Sequence, residues 1–433
     1  MSSKGKSSAD TGSGATLVPK LRFPEFQDAG GWEYKVLAPF LRDSSGRAPS
    51  NTTLPVFSST REGLRRQDAY FDGRVLQNNN DYGVVPPGCF VYRHMSDDGT
   101  FKFNINDTGA EIAVSKEYPV FETVGLDSKF LLELLNEGED FKHFAFSQKA
   151  GGTRTRLYFS RLREWRTHLP TLAEQQKIAD CLDSADALIA AQGRKVEALR
   201  AHKKGLMQQL FPQEGETQPR LRFPEFRSAG QWKEKSLSTL CDVKHGYAFE
   251  GEFFANEGEY VLLTPGNFYE SGGYRDQGSK QKYYTGEIPA GYVLNQGDLL
   301  VAMTEQAKGL LGSPILVPES NRFLHNQRLG LVTNRPGVEW ANEFFFHFFN
   351  TDAVRKAIQA SASGAKVRHT SPTKIGDIVS SYPTSVAEQQ CIADCLTSLD
   401  DLIAAETRKL DTLKTHKKGL MQQLFPAIEG FES

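Results

Sequence analysis

The chain has 433 residues, 39% of them hydrophobic and 11% aromatic, so it can form two or three domains with real hydrophobic cores. Its formal net charge of −2 argues against a polybasic protein that binds nucleic acid through overall charge, but it permits local basic surfaces. Its five scattered cysteines lack zinc-binding spacing, and no apolar run is long enough to cross a membrane, so we expect a cytoplasmic protein.

The first domain is predicted to span residues 19–170. It follows a tail, residues 1–18, that is rich in Ser, Gly and Lys and that we expect to be disordered rather than a signal peptide. Short β-rich runs such as 54–58 and 88–92 alternate with turn residues, and one helix is expected near 128–136. The domain is therefore predicted to be a mixture of sheet and helix.

Basic side chains follow the predicted helix of this domain and also occupy its earlier loops. Arg and Lys can contact phosphates or bind guanine in the major groove, although a solvated basic loop is the simpler alternative. The candidate DNA contacts of the first domain are Arg61, Arg65, Arg66, Arg93, Arg154, Arg156, Arg161 and Arg163.

Residues 171–212 are predicted to form one long helix. Thr171-Leu-Ala-Glu174 has the pattern of a capping box, in which a hydroxyl and a carboxylate satisfy free backbone N–H groups. Apolar residues recur in steps of four and three over 178–210, which is typical of a coiled-coil seam. Polar Gln192 and Lys203 interrupt that seam.

A linker, residues 213–218, leads to a second mixed domain, predicted at 219–383. Its β-rich runs include 260–263, 291–294, 298–303 and 330–333, and one helix is expected over 340–360. His347, within an aromatic run of that helix, is interpreted as a core histidine. The candidate DNA contacts of the second domain are Asn267, Tyr269, Gln306, Arg328, Lys366, Arg368, His369 and Thr370.

Residues 384–426 are predicted to form a second long helix, followed by a tail, residues 427–433. Segment 387–426 matches 173–212 at 29 of 40 positions, and 219–226 repeats 19–26. Since both seams lie in one chain, the simplest partner of one helix is the other, although helices of another protein are an alternative. The repeat predicts an α/β (α+β) protein in which two such domains are linked by an antiparallel coiled coil with pseudo-twofold symmetry.

Motifs for catalysis are missing from the sequence. We find no Walker A sequence, no GxGxxG after a strand, no amino-methyltransferase motif and no metal triad or nucleophile elbow. The chain is therefore not expected to be an enzyme, and no cofactor is predicted for it.

The duplicated motifs carry a resemblance to a known family. Each half opens on Leu-Arg-Phe-Pro-Glu-Phe and continues, after its variable part, with Ala-Glu-Gln-Gln-x-Ile-Ala-Asp and a helix closing on Lys-Lys-Gly-Leu-Met-Gln-Gln-Leu-Phe. In this order the motifs resemble the specificity subunit of type I restriction-modification systems over about residues 19–426.

The resemblance implies a non-catalytic subunit whose two target-recognition domains each read one half of an asymmetric, bipartite site in double-stranded DNA. It implies that the helices act as a spacer and dock two methyltransferase (modification) subunits, which use S-adenosylmethionine. Motor-nuclease (restriction) subunits would join these and use ATP with Mg²⁺. The alternative is a coiled-coil scaffold or adaptor that does not read DNA.

Overall fold

The computed structural model describes residues 17–70, 81–149, 154–364 and 367–426. The chain divides into two compact units. The first unit contains residues 1–192 and 409–433, and the second contains residues 193–408. Each long helix therefore contributes one part of its length to each unit. None of the helices within the described ranges is long and apolar enough to cross a membrane.

The first unit is built mainly from short strands. Two neighbouring helices precede its last two strands, and a long helix follows them. Its strands are β1 (Glu33–Val36), β2 (Leu41–Asp43), β3 (Gly46–Ala48), β4 (Phe57–Thr60), β5 (Gly63–Arg66), β6 (Tyr82–Val85), β7 (Phe90–Tyr92), β8 (Met95–Ser96), β9 (Phe103–Ile105), β10 (Ile112–Ser115), β11 (Val120–Thr123), β12 (Thr155–Arg156) and β13 (Arg166–Leu169). Its helices are α1 (Gln67–Tyr70), α2 (Ser128–Glu137), α3 (Glu139–Ser147), α4 (Phe159–Glu164) and the first part of α5 (Leu172–Leu210).

The second unit has the same general order of elements. Its strands are β14 (Lys233–Ser236), β15 (Cys241–His245), β16 (Phe254–Ala255), β17 (Tyr260–Leu262), β18 (Tyr283–Tyr284), β19 (Leu299–Ala302), β20 (Pro314–Leu316), β21 (Phe323–Leu324), β22 (Leu329–Asn334) and β23 (Val379–Tyr382). Its helices are α6 (Asn342–Phe349), α7 (Asp352–Ser361), α8 (Pro372–Gly376) and the first part of α9 (Val386–Leu424).

Each unit contains one four-stranded antiparallel sheet with the same arrangement. The strand order is β2-β11-β7-β9 in the first unit and β15-β22-β19-β20 in the second. In both sheets, a strand from early in the unit pairs with one from late in the unit. The third strand in this order is followed by a loop. The residues just before α4 in the first unit, or just before α8 in the second, pair with that loop. The predicted mixture of sheet and helix is therefore present in both units.

The repeated opening motif fastens each unit to its own long helix. Glu174 is buried, and its carboxylate accepts hydrogen bonds from Arg22 Nε at 2.8 Å, Arg22 Nη2 at 2.7 Å and Trp32 Nε1 at 3.3 Å. Arg222 and Trp232 hold Glu388 in the same way, at 2.6, 2.7 and 3.0 Å. The predicted capping box is thus only half formed. The glutamate carboxylate does not reach back to the N-cap, because it binds an arginine and a tryptophan that are far away in the sequence.

The residue after this glutamate ties the same helix to a second element. Gln175 accepts a hydrogen bond from the N–H of Asp127, the N-cap of α2, and donates to the carbonyl of Pro170. Gln389 accepts from Ala341, the N-cap of α6, and donates to Pro383. The repeated Glu-Gln pair is therefore a structural joint, which explains its presence in both halves without any role in binding.

The repeated Leu-Phe at the end of each long helix closes a core. Phe425 packs edge-on against Trp32 and stacks on Phe130 in the first unit. Phe211 packs edge-on against Trp232 and lies tilted against Phe344 in the second. Each core is therefore completed by the C-terminal end of the helix that begins in the other half of the repeat.

The two helices run antiparallel within each unit, as the seams predicted. In the second unit, Lys195 pairs with Glu406 at 2.6 Å and Lys203 with Asp400 at 2.5 Å, so numbering rises along α5 as it falls along α9. In the first unit, Lys417 pairs with Asp186 at 2.7 Å. The seam lysines are thus held by acids of the facing helix, a geometry that fixes the register of a helix pair.

Two expectations for the second unit were wrong in detail. The single helix expected over 340–360 is two helices, because Thr351 caps α7 through its hydroxyl, which accepts the N–H of Val354. The strand expected at 291–294 is reduced to an isolated bridge between Val293 and Leu324.

Buried histidines of the second unit predict sensitivity to acid. Desolvation lowers the pKa of His325 to about 4 and that of His347 to about 3, so both are neutral in the folded unit. An unfolded histidine titrates near pH 6.5. Each buried histidine therefore makes its full contribution to the stability of the folded unit above that pH, and this contribution is lost as the pH falls toward the pKa of the folded state. We expect the free energy of unfolding to drop by a few kcal/mol between pH 6.5 and 4.

Urea unfolding at pH 7, 5.5 and 4.5 would measure this loss. His347→Gln can retain the hydrogen bond to the Thr397 hydroxyl, which is 3.2 Å from Nε2 in the parent, without carrying a proton in acid. This variant should show a shallower decline with pH. An equal decline in both proteins would contradict the assignment.

Candidate nucleic-acid interface

Four predicted arginines of the first unit meet at one loop, residues 93–98, which directly follows β7. Arg93 begins the loop. Arg61, from the turn of the β4–β5 hairpin, donates from Nη2 to both oxygens of Asp98 at 2.6 and 2.7 Å. Arg154 donates from Nε to Asp97 at 2.7 Å. Together with Arg156, which lies 95 positions after Arg61 in the sequence, these arginines are gathered on one surface.

The basic segment after α3 is joined to this loop through its backbone. Strand β12 pairs antiparallel with β8, which places Arg156 opposite Met95, and the N–H of Leu157 donates to His94. Arg93 and Arg156 are exposed, and neither has an acidic partner among the described residues. Burial is the main cause that lowers the pKa of His94, and the positive charges of Arg156 and Arg93 lower this pKa further.

Asp98 is held more firmly than its neighbour. Besides Arg61, it accepts hydrogen bonds from the Ser96 hydroxyl at 2.8 Å and from the N–H of Thr100 at 3.0 Å. The Arg61 guanidinium, followed by these two groups, holds the pKa of Asp98 far below its usual range. The carboxylate is therefore a fixed anion at the edge of the basic surface.

Other predicted arginines of this unit are engaged elsewhere. Arg65 lies 3.7 Å from Glu62, Arg66 pairs with Asp68 at 2.7 Å, and Arg161 pairs with Glu164 at 2.7 Å. Arg163 donates to the carbonyl of Ala38. All four are exposed, so they can meet a phosphate, but no contact joins them to the 93–98 loop.

The second unit builds its surface at the equivalent place, on the loop after β19. The N–H of Met303 donates to Arg328 at 2.9 Å, and the N–H of Glu305 donates to Arg368 at 2.9 Å. Thr304 also bridges to His369. Gln306, on the same loop, is exposed. The predicted residues Gln306, Arg328, Arg368 and His369 are thus brought together by backbone pairing.

Some predicted contacts of the second unit do not reach this surface. Asn267 is fully buried, and its amide accepts from Thr264 and donates to Gln281, so we remove it from the candidate interface. Thr370 is also buried, with its hydroxyl 2.9 Å from that of Ser361. Tyr269 is half exposed with the Arg275 guanidinium 6.0 Å from its ring centroid. Lys366 lies outside the described residues.

Sequence reasoning missed the acids and one arginine. Asp97 and Asp98 follow Arg93-His94 closely, so a search for opposite charges beside candidate arginines would have found them. Arg355 carries no such signal, because its partners are backbone carbonyls of distant loops. Within the described ranges, no group of three or more His, Cys, Asp or Glu side chains could hold a metal ion.

Comparison with known proteins identifies related sequences. The family model for the type I restriction modification DNA specificity domain matches residues 89–200 and 230–415. The type I restriction enzyme MjaVIII specificity subunit of Methanocaldococcus jannaschii is 23% identical over 259 residues, which cover 59% of this chain and 60% of that protein. The alignment therefore spans less than two thirds of the length of this relative.

Solved structures share the fold. The S subunit of a type I restriction-modification system from M. genitalium aligns with a TM-score of 0.56 and 14% identity, covering 95% of this chain and all of that one. A chain from a study of complex assembly and conformational transition in the type I R-M system aligns with a TM-score of 0.53 and 13% identity, covering 92% of this chain and 98% of that one.

Proposed function

This chain belongs to the type I restriction modification DNA specificity family, and from that membership we infer that each of its units reads one half of a bipartite DNA site. The observation that carries the proposal is the matching placement of the two basic surfaces. In each unit, residues that follow the two neighbouring helices pair with a loop, and this loop follows the equivalent strand of the equivalent sheet. Arg, Gln and His on such loops can donate to phosphates and base edges.

The two surfaces differ in their side chains, so we propose that the two half-sites differ in sequence. The first unit presents arginines with two aspartates, whereas the second presents Gln306, Arg328 and His369. A guanidinium, an amide and an imidazole offer different donors and acceptors to a base edge. Similar frames with dissimilar loops therefore support an asymmetric target.

We further propose that the long helices dock two methyltransferase subunits. Leu188 in the first unit and Leu402 in the second are 60% and 41% exposed, and they occupy matching positions in the repeated Leu-Ile-Ala-Ala segment. An exposed apolar side chain that recurs on both helices suits a partner that binds twice.

In this proposal catalysis resides in the partners. The methyltransferase subunits would use S-adenosylmethionine, and motor-nuclease subunits bound through them would use ATP with Mg²⁺. The chain itself would supply recognition and assembly. This division of labour is supported by the family membership and by the absence of catalytic motifs from the sequence.

Methylome sequencing of a host that expresses this chain with its methyltransferase subunit would test the proposed function. We expect adenine methylation at one motif with two unlike halves and a gap of fixed length. A stable complex with no methylated or enriched motif would instead favour the scaffold alternative.

Leu188→Glu and Leu402→Glu are each expected to remove one methyltransferase subunit from the complex, because a charge would have to be buried at the contact. Native mass spectrometry should show a loss from two partner copies to one in each variant. Leu172→Glu is the matched control, since Leu172 is 44% exposed but lies in the first turn of α5, where an acid is tolerated. Two copies in both test variants would contradict the assignment.

A further inference from the structure

Two acids of one loop each hold an arginine from a different segment of the first unit. Asp97 binds Arg154 through the arginine Nε alone, at 2.7 Å. Asp98 binds Arg61 through Nη2 alone, with both oxygens within 2.7 Å. All four side chains are at least half exposed. The pairs therefore lie at the surface without being buried by the fold.

Each ion pair leaves part of the arginine available to another molecule. A guanidinium carries five N–H donors in a fixed plane. Among the described residues, Arg154 uses one donor and keeps both terminal nitrogens open, while Arg61 keeps its Nη1 and Nε groups open. The two terminal nitrogens of Arg154 lie side by side and match the O6 and N7 acceptors of guanine in the major groove. The Nη1 and Nε groups of Arg61 lie on different edges of its guanidinium, so each offers a single donor to a base acceptor.

The net charge around an arginine determines whether it is better suited to a base edge or to a phosphate. The ion pair of an arginine and a carboxylate has little net charge, which weakens its attraction to phosphate. The remaining donors of the arginine stay available, and the carboxylate fixes their direction. Arg93 and Arg156, on the same surface, have no acidic partner among the described residues and keep their full charge. The surface around the loop thus contains two arginines suited to neutral base edges and two suited to phosphates.

We propose that Asp97 and Asp98 are positioning residues that direct Arg154 toward a guanine and Arg61 toward a base acceptor of the first half-site, while Arg93 and Arg156 bind phosphates. This inference rests on the proposed function, because it assigns sequence selectivity to individual residues of that interface. The hydrogen bonds from Ser96 and Thr100 that fix Asp98 support the same role, since a fixed carboxylate fixes its arginine.

Selection from a randomised DNA library, with the chain in complex with its methyltransferase subunits, would test the inference. Arg154→Ala identifies the half-site that the first unit reads. Asp97→Asn should then reduce the preference for one guanine in that half-site by about 10-fold, while the other half-site is read as before. Asp97→Glu, which restores the carboxylate, should recover at least part of the preference. Asp98→Asn should reduce the preference at a different base of the same half-site.

Arg93→Ala and Arg156→Ala provide the contrasting result. Each should weaken binding to all sequences alike and lower the dependence of log Kd on log salt by about one unit, as for the loss of one phosphate contact. Glu122→Gln, which breaks an exposed ion pair with Arg42 at 3.2 Å outside the loop, is the matched control and should change neither property.

An unchanged base preference in Asp97→Asn and Asp98→Asn, or a uniform loss across all sequences, would overturn the inference. A first half-site without guanine would do the same. These outcomes leave the proposed function intact, because the parent complex would still enrich a bipartite motif. If the parent complex enriches no motif, the proposed function itself fails.

Discussion

Replacing Glu174 with alanine is expected to lower the free energy of unfolding of the first unit by about 3–5 kcal/mol. The carboxylate is 1% exposed, and its partner Arg22 is 7% exposed, so the variant leaves a guanidinium with little access to water and no counter-charge. Trp32 Nε1 loses its acceptor at the same time. Removing one member of a buried pair costs far more than the pair contributes to stability, since the remaining charge stays desolvated.

Chemical unfolding combined with hydrogen exchange would measure this loss and assign it to one unit. Glu25→Ala is the matched control, because Glu25 belongs to the same repeated motif but forms an exposed ion pair with Lys177 at 3.0 Å. It should cost far less than Glu174→Ala, because water screens an exposed ion pair. Glu388→Ala should destabilise the second unit as Glu174→Ala does the first. A loss in Glu174→Ala no larger than that of the control would show that the contact is dispensable.

The frame of the molecule could be predicted from the sequence because its signals are local or repeated. The seam lies in one uninterrupted segment, and the Ala-Glu-Gln-Gln motif recurs after each variable part. The role of Glu174 could not be predicted, because its partner lies 152 residues away and local pattern favoured a capping box. Periodicity therefore predicted the helix, whereas a tertiary contact determined what its first turn does.

The candidate interface was only partly predictable for a related reason. Arginine content and glycine-rich turns identified the segment that contains Arg154 and Arg156, and in the structure this segment pairs with the loop after β7. Residue type could not separate an exposed Gln306 from a buried Asn267, since both are amides in polar loops. Burial depends on which loops pack together, and that information lies in long-range contacts.

Arg355 shows how such a contact supports the second interface. It lies on α7, and desolvation lowers its pKa, as expected of a guanidinium taken from water. Its terminal nitrogens donate to the carbonyls of Glu270 and Gly309 and to the Asn350 side chain, while Asn350 donates to Ser271. One side chain thus joins the loop that carries Gln306 to the loop that carries Tyr269.

Arg355→Ala is expected to abolish discrimination at the half-site that we propose for the second unit, because the Gln306 loop loses the guanidinium that binds the carbonyl of Gly309. The same change should lower the free energy of unfolding of this unit by about 3 kcal/mol, since two carbonyls and an amide lose a charged donor. Library selection with the methyltransferase complex gives the first effect, and urea unfolding gives the second. Lys356→Ala, at the next and exposed position of α7, should change neither. Arg355→Lys, which keeps the charge without the planar fork, should show discrimination and stability between those of the parent and of Arg355→Ala. Retained discrimination in a folded Arg355→Ala protein would mean that the loop holds its shape without Arg355.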